Sequence, residues 1–334
     1  MAPAPDDDPR IGDISEGTVL RAILARTAPG RHTILGPGDD AAVLAAPSGS
    51  VVATADTLVE GPDFRTAWSS GHDLGWKAAA VNLADIAAMG AVPTGLLVSL
   101  AVPRGVRLSF VAQMADGFRE ACAVLAPGCT VIGGDLTVSD LLMIAVTALG
   151  DLGGRNAVTR SGAREGDIVA LAGDLGAAGA GLGLLFARFR DGDTPIAVDR
   201  GMLDAGELQA LDAQLRPAPP IGLGPVAADA GATAMMDVSD GLALDAARMA
   251  DASGATLALS GAALDALAFG GDRQRAVGGG EDHGLLATFP AGELPAGFHR
   301  IGEVIARSTD GVLVDGSPIA HTGWDPYRDW DGAL

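Results

Sequence analysis

The chain has 334 residues, 48 of them glycine, and its 42 acids against 22 bases leave a formal charge of −20. That balance excludes the basic stripe of a nucleic-acid binder and a docking face for anionic lipid, and a hydrophobic content of 48% excludes a disordered chain. The length fits two domains or one large one, and two cysteines without CxxC spacing, Cys122 and Cys129, exclude a disulfide scaffold and fit a reduced, cytoplasmic setting.

Met1–Pro9 is rich in Pro and Asp and lacks the apolar stretch of a signal peptide, so residues 1–10 are expected to form a disordered leader. Ser15–Ala25 reads as a short helix, and Gly36–Asp40 as a glycine turn closing on two acids. Val51–Ala55 reads as a strand. His72–Met89 reads as a helix with Leu74, Ala78, Val81 and Asp85 on one face. Gly95–Val102 is a strand, Arg107–Leu125 an amphipathic helix, and Thr130–Ile132 a short strand running into Gly133-Gly134-Asp135. Leu141–Leu149 is a nearly continuous apolar run, hence a buried strand. The polar stretch Arg155–Gly166 joins a second unit, so domains are expected at 11–152 and 153–334.

In that second unit Asp167–Ala172 is a strand, Gly176–Phe186 a helix and Asp191–Asp204 a polar loop. Pro217–Pro220 precedes a helix near Gly222–Asp229. Thr233–Met236 is a strand ending at Asp237, Leu242–Ala252 a helix, and Thr256–Leu259, Leu285–Phe289 and Gly311–Val314 are strands. Strands and helices mix in both halves, so the class is α/β (or α+β) in two domains. No window offers about 18 consecutive strongly apolar residues, the length of a membrane helix.

Familiar catalytic signatures are missing. Lys77, the only lysine, follows Trp76, so no Walker A loop exists. The protein-kinase motifs and a GxSxG elbow are absent. The five histidines show no HExxH or paired spacing, and the glycines from 173 to 183 do not form a Rossmann phosphate loop.

What remains is a repeated pairing of acids with glycines or strand ends. It occurs at Gly36–Ala42, at Thr54–Leu58 around Asp56, at Asn82–Asp85, at Gly133–Asp135 and at Asp237–Gly241. Asp56, Asp135 and Asp237 are expected at strand ends, where open sheets bind ligands. Carboxylates without His or Cys suit a hard cation such as Mg²⁺, which takes one or two carboxylates plus substrate phosphates. Neighbouring glycines let backbone N–H groups approach phosphate oxygens. A solvated or turn-forming Asp is the competing reading at each position. Asp240 suits an N-cap of the helix at 242 as well as it suits a metal. Asp85 lies on the Ala/Leu side of its helix, where an unpaired acid is costly.

Eight segments, in order, resemble the thiamine-monophosphate kinase family of the aminoimidazole ribonucleotide synthetase-like superfamily. They are GPGDDAAVL (36–44), TADTLVEGPDF (54–64), WKAAAVNLADIAAMGA (76–91), VIGGD (131–135), TRSGAREGD (159–167), LRPAPP (215–220), MDVSDGL (236–242) and GGEDHGL (279–285). The resemblance implies two α/β domains, an N-terminal sheet that pairs across a homodimer, and direct transfer of the ATP γ-phosphoryl group to thiamine monophosphate. It implies several Mg²⁺ ions held by Asp40, Thr54, Ala55, Asp56, Asp85, Asp135, Asp237 and Asp240, of which Asp40, Asp56, Asp85, Asp135 and Asp237 would be catalytic. Asp39 is a weaker candidate. ATP would meet Gly134, Asp135, Arg160 and Ser239, with Lys77 a charge partner near the acids. The substrate would meet Asp63, Glu281 and Trp324. Two departures stand out: Asp63 occupies the place of the family's His before Phe, and Ala55 the place of a Thr. The alternative is an ATP-dependent relative acting on a different phosphorylated acceptor.

Overall fold

A computed structural model describes residues 8–36, 42–319 and 323. Asp39, Asp40 and Trp324 lie outside the described residues. The first half holds α1 (Glu16–Leu24), β1 (Thr33–Leu35), β2 (Val43–Leu44), β3 (Val52–Val59), α2 (Gly71–Ala88), β4 (Val92–Val102), α3 (Leu108–Leu125), β5 (Val131–Val138) and β6 (Met143–Asp151). The second holds β7 (Ile168–Ala172), α4 (Ala177–Arg188), β8 (Arg190–Asp191), β9 (Thr194–Pro195), α5 (Ala205–Leu215), α6 (Leu223–Asp229), β10 (Ala234–Val238), α7 (Leu242–Ser253), β11 (Thr256–Leu259), α8 (Gly261–Leu267), α9 (Arg273–Gly278), β12 (Gly284–Phe289), β13 (His299–Ile305), β14 (Val312–Val314) and β15 (Ser317–Pro318).

The first half forms a four-stranded sheet in the order β3-β6-β4-β5, and the second a seven-stranded sheet in the order β10-β12-β7-β13-β11-β14-β15. The chain crosses between them over residues 152–167. In the first sheet, Ile144, Val146 and Ala148 of β6 and Leu96, Val98 and Leu100 of β4 alternate onto the face covered by α2 and α3. The opposite face carries Leu97, Ser99, Ala145, Thr147, Ala55 and Asp135 by the same alternation. One end of this face meets Leu44 of β2, whose side chain stands over Gly95, while Leu97 further along β4 is 37% exposed.

Helix α2 starts at a capping box, with Ser70 and Asp73 satisfying each other's backbone N–H groups. It is buried around almost its whole circumference. One side meets α3 at close range. A Cβ on Gly75 would stand 2.0 Å from the Met114 carbonyl oxygen, and one on Gly117 would stand 2.1 Å from that of His72. Only glycine permits the two backbones to touch there, and on its other side α2 sets Asn82 and Asp85 against the edge strand β3.

Several boundaries differ from the sequence reading. Residues 8–10 are not loose: the Asp8 carboxylate accepts the N–H and hydroxyl of Ser109 at 2.8 and 2.6 Å, and Arg10 bridges Arg107. β3 runs on to Val59 because Asp56–Val59 pair in unbroken register with Val146–Met143 of β6. Asp56 is thus mid-strand rather than at a strand end. Asp237 is likewise inside β10, paired with Leu285. Gly133-Gly134-Asp135 is not a loop after a short strand but the middle of β5, paired with β4. There Gly134 is required by close approach, since a Cβ would fall 1.8 Å from the Val98 carbonyl oxygen. The polar stretch 191–204 folds into the β8–β9 hairpin and a 3-10 turn at Arg200–Met202.

Candidate active site

The two halves face each other across a cleft of about 1460 Å³. Its walls carry carboxylates from both: Asp56 of β3, Asp63 of the following loop and Asp85 of α2 from the first half, and Asp237, Asp240 and Glu281 from the second. Arg160 and Ser239 line the same cleft. They come from five separate stretches of the chain, at 56–63, 85, 160, 237–240 and 281. Sheet and helix packing brings them together.

Asp85 accepts the Thr54 hydroxyl at 2.7 Å, and Asn82 Oδ1 accepts the Asp56 N–H at 3.1 Å. Thus α2 fixes β3 through two side chains one turn apart. Burial pushes the Asp85 carboxyl up to about 7, reinforced by the charge of Asp237 and opposed by the Thr54 hydrogen bond. Burial also raises Asp56; His283 opposes this and Asp237 adds to it. Asp237 is itself buried and meets His283 Nδ1 at 3.1 Å. Burial lowers the His283 pKa, but the hydrogen bond and charge of Asp237 outweigh it and hold the imidazole above its ordinary value.

Asp240 is not the N-cap of α7. That position is Gly241, and Asp240 instead pairs with Arg248 at 2.6 Å. The N–H groups of Ser239 and Asp240 are taken by Asp245, each at 3.0 Å, and Arg248 also reaches Asp245 at 2.7 Å. Burial lifts Asp245 to about 6 against those hydrogen bonds. Asp245 therefore holds the Asp237–Gly241 turn in shape from below.

Lys77 is 3% exposed and pairs with Glu281 at 2.8 Å, while Gln214 Nε2 donates to the same carboxylate. Burial raises Glu281, but Lys77 overcomes it and the carboxyl lies below its ordinary range. Glu281 and His283 both have positive φ, 68° and 53°. Non-glycine residues in that region carry strain, and such residues concentrate at functional sites. Between them Asp282 accepts the N–H groups of Gly176 and Ala178 at 2.5 and 2.7 Å, tying the segment to the start of α4. Asp63 spends one oxygen on the Val59 N–H at 2.7 Å, closing its loop, and burial raises its pKa.

The match to AIR synthase related protein, N-terminal domain, covers residues 38–152. The thiamine-monophosphate kinase of Mycobacterium tuberculosis (strain ATCC 25618 / H37Rv) is 39% identical over 337 residues, spanning 97% of this chain and 95% of the relative. The chain belongs to the thiamine-monophosphate kinase family. A solved member from Stenotrophomonas maltophilia K279a is 32% identical, covers 92% of this chain and 98% of its own, and gives a TM-score of 0.77. The structure of AaThiL complexed with AMPPCP and TMP is 28% identical, covers 96% and 99%, and gives 0.72.

Of the residues that the family resemblance singles out, Asp56, Asp63, Asp85, Arg160, Asp237, Ser239, Asp240 and Glu281 line one cleft, and Lys77 meets Glu281 within it. Thr54 touches Asp85, whereas alternation turns the Ala55 side chain to the opposite sheet face. Gly134 and Asp135 are not brought to this cleft: β5 lies at the far edge of the sheet from β3, and Asp135 faces away from the helices. Sequence reasoning missed Asp245, Arg248 and Gln214. Their pattern in the chain is that of ordinary helix surface, and only tertiary packing reveals them.

Proposed function

We propose that the chain transfers the γ-phosphoryl group of ATP directly to the phosphate of thiamine monophosphate, giving thiamine diphosphate and ADP. The observation that carries this reading is the convergence of Asp56, Asp85, Asp237 and Asp240 from two domains on one cleft, in a chain 39% identical to a kinase of that name. Phosphoryl transfer needs positioning and charge neutralisation more than a protein nucleophile. The acceptor oxygen is already ionised at neutral pH, so no strong general base is needed.

Among the described residues, no three His, Cys, Asp or Glu side chains are grouped closely enough to hold an ion alone. Mg²⁺ commonly takes one or two carboxylates together with substrate phosphates rather than a closed protein cage. Asp56, Asp85, Asp237 and Asp240 are hard oxygen donors of the right class, and Asp56 and Asp85 are raised first by burial and then by the charge of Asp237, both of which a bound cation would offset. These residues would hold Mg²⁺, which would supply neutralisation of the phosphate charge. Arg160 supplies a fixed positive charge to ATP, and Ser239 a hydroxyl. Glu281, oriented by Lys77 and Gln214, faces the cationic thiazolium. Asp63 serves the same ring rather than a phosphate, because its charge would repel one.

The enzyme works as a homodimer in the cytoplasm. The sheet face that carries Leu97, 37% exposed, is the surface through which two copies meet, and Gly134 and Asp135 reach nucleotide only by way of a second copy. Cys122 and Cys129 are buried free thiols, which fits a reducing compartment. Among the described residues no helix is long and apolar enough to cross a membrane.

The test is turnover by purified protein with ATP, Mg²⁺ and thiamine monophosphate, with unphosphorylated thiamine as control. Thiamine diphosphate from the monophosphate alone is the expected result. Mg²⁺-dependent ATP binding without product would move the acceptor to another phosphorylated compound.

A further inference from the structure

Among the described residues five arginine or lysine side chains line the cleft: Arg65, Lys77, Arg160, Arg248 and Arg275. Arg248 is paired with an acid that the reading above gives to Mg²⁺. Its Nη1 donates to Asp240 Oδ2 at 2.6 Å and to Asp245 Oδ1 at 2.7 Å. The two partners differ. The Asp245 side chain is 0% exposed, and its other oxygen accepts the Ser239 and Asp240 N–H groups, so it belongs to the fold. The Asp240 side chain is 29% exposed and stands at the cleft, and that of Arg248 is 40% exposed. Asp245 is therefore a fixed anchor for the guanidinium, and Asp240 an exchangeable partner.

A guanidinium and a divalent ion compete for Asp240. Mg²⁺ takes a carboxylate oxygen at about 2.0–2.1 Å, which sets it a few ångströms from a like charge on the same carboxylate. A guanidinium that leaves Asp240 carries N–H groups in the fork that suits a phosphate. The phosphate-facing groups are near. Ser239 stands just before α7 on the same wall. Arg160 is tied to the other end of that helix, where the Ser253 hydroxyl donates to its carbonyl at 3.0 Å and accepts the Gly162 N–H at 3.2 Å. Arg248 precedes Ser253 on α7 by about 7.5 Å of helix axis. Along α7 it falls between Ser239 and Arg160, the two groups already given to ATP.

We propose that Arg248 is an ATP-phosphate ligand that competes with Mg²⁺ for Asp240: it pairs with Asp240 before nucleotide and metal bind, yields that carboxylate to the ion, and carries its charge to a phosphate while Asp245 holds the guanidinium from behind. The inference rests on the ATP and Mg²⁺ reading above. It makes metal and nucleotide binding depend on each other. The ion alone leaves Arg248 facing a like charge, whereas a phosphate gives the displaced guanidinium a partner. Arg248 acts on binding and takes no part in bond making.

The experiment measures Mn²⁺ binding to the purified chain by electron paramagnetic resonance, and binding of a non-hydrolysable ATP analogue in Mg²⁺ by calorimetry. Arg248→Met keeps the apolar stem and removes the charge. Without nucleotide it should bind Mn²⁺ about fivefold or more tightly than wild type, because Asp240 is released. It should bind the ATP analogue about tenfold more weakly, while KM for thiamine monophosphate stays within about twofold. Adding Asp240→Asn should abolish the gain in Mn²⁺ affinity, since the gain runs through that carboxylate. A mere brace for the turn predicts the opposite sign, with Mn²⁺ held more weakly in Arg248→Met. Unchanged or weaker Mn²⁺ binding overturns the inference, as does a gain that survives Asp240→Asn or an undiminished affinity for the ATP analogue. If Arg248→Met does not fold, Arg248→Gln replaces it. Wild type that binds the ATP analogue no better with Mg²⁺ than without is a separate outcome, which overturns the underlying reading of the site and the inference with it.

Discussion

Asp85 is where the electrostatics of the cleft are most exposed to measurement. Its carboxyl is held at about 7, against an ordinary 3.8, so in the metal-free protein the native state binds a proton that the unfolded chain has lost. Stability therefore falls as pH rises from about 4 to about 7, because ionising Asp85 costs more in the fold than in the open chain. Asp85→Asn removes that penalty. The variant is expected to be more stable than wild type by about 1–2 kcal/mol at pH 8 without metal, with the gap closing below about pH 5. Thermal melts across pH in a chelator check this, and turnover should drop by about 100-fold or more in the same variant. At Asp63, Asn keeps an acceptor for the Val59 N–H but removes the charge. Asp63→Asn should raise KM for thiamine monophosphate about three- to tenfold, leave KM for ATP unchanged and leave the melting temperature within a degree or two. A fall in KM instead would mean that Asp63 faces phosphate. The identities of these acids were legible in the sequence through their ordered motifs. Their partners were not. That His283 meets Asp237, or that Asp245 holds the turn at 239–240, depends on packing between segments far apart in the chain or on a helix face the pattern leaves undefined.

At the scale of elements, α2 and β3 do the positioning. The α2–α3 contact through Gly75 and Gly117 leaves no room for a methyl group. Gly75→Ala is expected to cost about 1–3 kcal/mol in denaturant unfolding and to lower activity by displacing Lys77 and Asp85. A neutral effect would show that the helices part easily. The helix at 71–88 and the buried strand β6 were readable because hydrophobic pattern and length agree over many residues. Strand ends were not, since Asp and Gly inside β3, β5 and β10 look like turn formers. Cross-strand pairing overrides that local preference. The helix α5, which supplies Gln214, went unread for a similar reason: its stretch mixes polar and apolar residues between a polar loop and Pro217.

For the whole molecule, the candidate site lies in the gap between two sheets that share no strand. Sequence pattern divides the chain near 150–160, but it does not say how the two parts face each other, and the cleft exists only in that arrangement. The sheet face around Leu97 adds a prediction at this scale. Wild type should sediment as a dimer, and Leu97→Asp should shift it toward monomer with loss of turnover, because a buried charge at an apolar interface is costly. A monomeric, fully active wild type would remove the second copy from the site. The central claim is direct transfer between two bound phosphates in this cleft. Single-turnover reaction with γ-labelled ATP tests it. The label should appear in the terminal phosphate of thiamine diphosphate, with none on the protein. Label retained on the protein, or released only as inorganic phosphate, would contradict it.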